Sequence, residues 1–78
     1  MTRYSCIDFR EHQLKGSSVA DIEAANDASA VEHATRLFAA SQSQLRRPVR
    51  CTVSKQSGAT VAILRIGRRG EVLVDFTH

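Results

Sequence analysis

Between Ala59 and Phe76 two apolar, strand-forming runs flank the turn Gly67-Arg68-Arg69-Gly70, and the first run, Val61-Ala62-Ile63-Leu64-Arg65-Ile66, is broken only by Arg65. A strand buried on one side alternates apolar with polar residues, so a nearly unbroken apolar run predicts cover on both faces. The chain contains one long helical pattern to supply that cover. One helix shields one face, which leaves the other to a partner chain, a ligand or water.

Seventy-eight residues make one domain, 1–78, near the lower limit at which a single core suffices without staples. No apolar run approaches the roughly 18 to 20 residues that span a bilayer, so no membrane association is expected. The opening Met1-Thr2-Arg3-Tyr4-Ser5-Cys6 leads straight into a stretch containing Asp8, Arg10 and Glu11, without the apolar segment of a secretory signal. A bacterial-type cytoplasm is therefore the expected compartment. Cys6 and Cys51 are too few and too far apart for a disulfide framework or a paired zinc knuckle. They are expected as small buried hydrophobes, since a disulfide would need neighbouring strands and an oxidising compartment.

Arg3 to Arg10 reads as a first strand, with Ser5, Ile7 and Phe9 on one face and Tyr4, Cys6, Asp8 and Arg10 on the other. Ile7 and Phe9 are its expected core contributions. Residues 11–18 fit either a loop or a second strand returning from a hairpin. Asp21 then offers an N-cap, with Glu23 in the first turn where the helix dipole favours negative charge. From there to about Ala40, Ala24, Ala28, Val31, Ala34, Leu37 and Phe38 recur at helical spacing. The last turn, running into Ser41-Gln42-Ser43-Gln44, is expected to overhang the sheet and fray, with Pro48 as the stop.

Val49, Cys51 and Val53 alternate with polar residues in a half-buried strand, and Gln56-Ser57-Gly58 closes a hairpin into Thr60 to Ile66. After the Gly67-to-Gly70 turn, Val72, Val74 and Phe76 share one face of a last strand. The expected fold class is a two-layer α+β domain in the order β-α-β-β-β. One long helix packs on a mostly antiparallel sheet of four strands, or five if residues 11–18 pair as well.

The segments Tyr4 to Arg10, Asp21-Ile22-Glu23-Ala24-Ala25, and Val49 to Ile66 with its turn at Ser57-Gly58 resemble a group of short bacterial proteins of unknown function. In that group a strand and polar hairpin precede an Asp-capped, Ala-rich helix and a C-terminal β-hairpin. The resemblance spans about residues 3–66 and implies no activity or cofactor. The chain differs from the group's acidic, Gly-rich first hairpin in Glu11-His12-Gln13-Leu14-Lys15-Gly16, and adds a final strand.

No catalytic motif is present, and a two-layer domain of this size has little interior from which to build a pocket. His12, His33 and His78 lack metal-ligand spacing, so no metal or cofactor is expected. Asp8 and Asp75 would form a carboxylate pair only on neighbouring strands.

Charge is uneven. The chain carries net −2 up to Ala39 and +5 from Ala40 onward. Arg46, Arg47 and Arg50 follow the helix, and Arg65, Arg68 and Arg69 surround the last turn, which makes these six the candidates for phosphate contact. No nucleic-acid motif accompanies them, and Tyr4 is the one stacking candidate. The expectation ranked first is a non-catalytic binding or structural module that acts through its sheet as a homodimer. Val61, Ile63 and Leu73 would form its apolar patch, or the sheet edge would serve, unless the first strand or the Leu14 segment folds over that patch. A nucleic-acid-binding accessory protein is the alternative.

Overall fold

Among the described residues the chain forms six elements: β1 (Thr2–Phe9), β2 (Ser17–Ala24), α1 (Asp27–Ser41), β3 (Arg50–Lys55), β4 (Thr60–Ile66) and β5 (Val72–Phe76). The computed structural model describes residues 1–11 and 15–77, and of residues 18 and 19 the backbone alone. His12, Leu14 and His78, singled out above, lie outside the described residues. The strands form an antiparallel sheet of order β2-β1-β3-β4-β5 with α1 across one side, an α+β architecture. The fifth strand is β2, which begins where the polar stretch 11–18 ends.

β2 corrects the expected start of the helix. Asp21 does not cap it: Ile22 and Ala24 are buried while Asp21 and Glu23 are exposed, the two-residue period of a strand. Ala and Glu favour a helix in isolation, but pairing with β1 decides this segment, and Glu23 meets Arg3 across the strands at 3.2 Å. The N-cap is Asn26, whose side-chain oxygen accepts from the Ser29 amide at 2.9 Å, and Asp27 supplies first-turn negative charge. Ala28, expected on the packed face, is exposed, whereas Ala30, Val31, Ala34 and Phe38 are buried.

The helix ends at Ser41, before Pro48 can act. Ser43 Oγ donates to the Ala40 carbonyl at 3.1 Å, satisfying a group the helix leaves open, and Gln42 Nε2 donates to the Pro48 carbonyl at 2.9 Å, tying the helix end to the segment before β3. Ser41 is buried, which anchors the end expected to fray.

The faces of β1 are the reverse of the expectation. Tyr4, Cys6 and Asp8 point under the helix and are buried, while Ile7 and Phe9 lie half-buried on the open side. Register imposes this: Cys6 pairs with Val53 and Asp8 with Cys51, and β3 is locked to β4 with Val53 opposite Ala62 and Cys51 opposite Leu64. Paired residues share a face, so the strongly apolar centre of the sheet carries β1 with it. Val49, expected inside, is exposed.

Both hairpins use the same three-residue loop. Lys55 N donates to the Ala59 carbonyl at 2.8 Å and Gly58 N to Lys55 at 2.9 Å; Gly67 N donates to Glu71 at 2.7 Å and Gly70 N to Gly67 at 3.0 Å. Gly58 and Gly70 take φ of 97° and 82°, the left-handed position such loops require.

Candidate functional site

The residues expected to carry function fall at three places in the fold. The apolar patch on the open face comes from β4 and β5. Ile63 is half-buried there and Leu73 is 40% exposed, but Val61 is not part of an exposed patch. The ladder slips between Val53 and Ser54, leaving Val61 as the extra residue of β4, and it is buried within the core cluster. The rest of this face is partly closed by the chain itself. A Cβ on Gly16 would lie 2.3 Å from Ile7 Cγ2 and 2.8 Å from Phe9 Cζ, so only a bare backbone fits over these two side chains. Arg50 stacks on the Phe9 ring at 4.2 Å, and Arg65 pairs with Asp75 at 2.6 Å.

The six arginines meet at one end of the sheet. β3 begins at Arg50, which lies opposite Arg65 near the end of β4, and the turn bearing Arg68 and Arg69 follows directly. Arg47 joins them beside an open depression of about 230 Å³ that it shares with Gln42, Ile66 and Gly70. Arg10, at the same end of β1, donates from Nε to the Arg46 carbonyl at 2.7 Å. Two members are engaged, Arg50 by Phe9 and Arg65 by Asp75, while the side chains of Arg46, Arg47, Arg68 and Arg69 are exposed. Tyr4 cannot be their stacking partner, because it is 1% exposed. Its hydroxyl donates to Asp27 Oδ1 at 2.6 Å, and that bond together with burial raises the phenol above its ordinary pKa.

A third cluster lies beneath the helix. Cys6 and Cys51 are free and buried on neighbouring strands, within thiol hydrogen-bonding reach of each other, and Cys51 also reaches Asp8. Asp8 is 3% exposed, and burial raises its carboxyl above the ordinary range against the opposing pull of Cys51 and Arg10. The hydrogen bond with Cys6, burial and the neighbouring carboxylate push the Cys51 thiol up, whereas the same hydrogen bond lowers the Cys6 thiol against burial and the Asp8 and Asp21 carboxylates. Asp8 and Asp75 do not form the carboxylate pair considered above: β1 and β5 are separated by β3 and β4, and Asp75 serves Arg65.

His33 is exposed on the outer side of α1, beside an open depression of about 380 Å³ that includes Glu23, Glu32 and Arg36. Those charges are engaged elsewhere, Arg36 with Glu32 at 2.5 Å and Glu23 with Arg3. Among the described residues no three His, Cys, Asp or Glu side chains are grouped so as to hold a metal ion. No helix in the described residues is long and apolar enough to cross a membrane.

The feature that sequence reasoning undervalued is the edge strand β5. Phe76 is 49% exposed although it follows Val72 and Val74 on the helix side, because α1 reaches only part of this strand. The signal was present in the mismatch between one helix and a sheet of four or more strands, but the strand left uncovered depends on strand order. No family model matches the chain, and no curated protein and no solved structure is significantly similar to it.

Proposed function

We propose that this chain is a small, non-catalytic interaction module that works through its sheet as a homodimer. The observation that carries the reading is the apolar surface left at the β5 side: Leu73 is 40% and Phe76 49% exposed on opposite faces of one edge strand. Apolar side chains exposed along the open edge of a sheet favour contact with another chain. The charged groups support the non-catalytic part, because Arg3, Glu32, Lys55 and Arg65 are spent on ion pairs with Glu23, Arg36, Asp27 and Asp75 rather than converging on a pocket. Two free thiols on neighbouring strands fit a reducing cytoplasm. Sedimentation equilibrium of the purified chain at about 100 μM, above typical weak-dimer dissociation constants, tests the reading. A dimer is expected, and a clean monomer overturns it.

The gathering of six arginines at one end favours a second reading, an accessory protein that contacts nucleic-acid phosphates through Arg46, Arg47, Arg50, Arg65, Arg68 and Arg69. Under that reading, oligonucleotide binding weakens steeply with salt as condensed counterions are released, and replacing Arg68 and Arg69 by Gln flattens the slope. Under the first reading, binding at near-physiological salt is absent or weaker than about 100 μM.

A further inference from the structure

We infer that the homodimer forms by antiparallel pairing of the two β5 strands about a two-fold axis at Val74, an assignment that rests on the reading of the chain as a sheet-mediated dimer. The hydrogen bonds between β4 and β5 fix which main-chain groups of β5 remain open. Gly67 N donates to Glu71 O, Thr77 N donates to Val61 O, and the β4–β5 ladder runs in regular register between them. Groups on an antiparallel strand alternate in direction, so residues 71, 73, 75 and 77 direct theirs to β4. Val72, Val74 and Phe76 direct their N–H and C=O groups to the open edge.

The two edges of the sheet are not equivalent. β2 carries exposed Asp21, a Glu23 that is paired with Arg3, and an irregular register against β1, features that discourage a further strand. β5 has one charge, Asp75, and Arg65 already neutralises it at 2.6 Å. Self-pairing through β5 must match outward residues with outward residues. Centred on Val74, all five residues overlap: Val72 faces the partner's Phe76, Leu73 faces the partner's Asp75, and Val74 faces its own copy.

Charge selects this register over its neighbours. Centring on Leu73 places Glu71 against the partner's Asp75, and centring on Asp75 places that carboxylate against itself, both destabilising. Centred on Val74, no like charges oppose. Arg65, which lies opposite Leu73 on the other side, then has a second carboxylate in its own row. Val74 pairs with Leu64 and Phe76 with Ala62, so these side chains lie on the helix side and meet their symmetry mates in one apolar seam. The two-fold axis is perpendicular to the sheet, and both helices lie on the same side of the merged sheet.

Two variants of the full chain test the assignment. Val74→Pro removes a donor that faces only the open edge, and proline is tolerated at such positions. Its dissociation constant by sedimentation equilibrium is expected to rise at least about tenfold, with the circular dichroism spectrum and urea midpoint reporting that the monomer is folded. Val74→Cys, exposed to glutathione disulfide, is expected to give a covalent dimer. The two thiols lose two electrons and two protons to the reagent, which leaves as two glutathione thiols, and paired residues at about 5.5 Å are within disulfide range. Wild type and Leu73→Cys, whose thiol would face Asp75 of the partner, are expected to stay uncrosslinked. If Val74→Pro fails to fold, the cross-link decides. A monomeric wild type overturns both the dimer and this assignment. A dimeric wild type whose Val74→Cys variant does not cross-link overturns the β5 pairing alone, as does a folded Val74→Pro variant that dimerises like wild type.

Discussion

Under α1, Tyr4, Cys6, Cys51, Val53, Ala62 and Leu64 are all at or below 2% exposure, whereas on the opposite side of the same strands Ile7, Phe9 and Ile63 remain half-buried among Ser5, Thr52 and Ser54. The two faces are closed by different means. Apolar packing against a helix seals the first. The second is closed piecewise, by the backbone at Gly16 lying on Ile7 and Phe9, by Arg50 stacked on Phe9, and by the Arg65–Asp75 pair. Neither device covers the whole of β5, where Leu73 on one face and Phe76 on the other stay exposed. The contrast teaches that a one-helix sheet of this width is under-covered at an edge more than across a face.

The largest expected effect lies on the sealed side. Val31→Asp places an unpaired carboxylate against the sheet and is expected to cost about 3 to 5 kcal/mol, enough to unfold a marginal small domain. Loss of the helical circular dichroism signal checks it, and an unchanged urea midpoint would mean that Val31 does not face the core. On the piecewise side, Gly16→Ala forces Ile7 and Phe9 aside and is expected to cost about 1 to 3 kcal/mol by urea denaturation. A neutral result would show that the segment does not rest on the open face, and would erase half of the comparison.

Tyr4→Phe keeps the ring in the core and removes only the bond to Asp27, so about 1 kcal/mol is expected, with Lys55 still 3.8 Å from that carboxylate. The smallest effect concerns Asp8. Because burial raises its folded-state pKa, the folded chain holds a proton that the unfolded chain has released; its contribution is full below the ordinary value of 3.8 and is lost as pH rises toward the folded-state value. Asp8→Asn is therefore expected to remove that slope from the urea midpoint as pH rises above 3.8. A variant with an unchanged slope would show that Asp8 is solvated rather than sealed.

Much of the second half was legible locally. The hairpin loops ending in Gly58 and Gly70, the alternation of β3 and the unbroken run of β4 depend on turn chemistry and on neighbours a few residues away. The first half was not. In Asp21-Ile22-Glu23-Ala24, Ala and Glu favour a helix while the two-residue alternation favours a strand, and the competition is settled by pairing with β1. The candidate site shows the same division, since the arginines are visible in the chain but their meeting at one end follows from the register of Arg50 with Arg65.

By itself the sequence determined the element types after Asp27, the positions of both glycine turns, and the excess of apolar strand over available helix, because each rests on short-range periodicity or backbone stereochemistry. Only the tertiary structure decided which face of β1 is core, which strands are edges and that Val61 turns inward at a bulge. Those outcomes depend on strand register. In a two-residue period a one-position slip exchanges the faces, and a choice so finely balanced within one strand is made by its neighbours across the sheet.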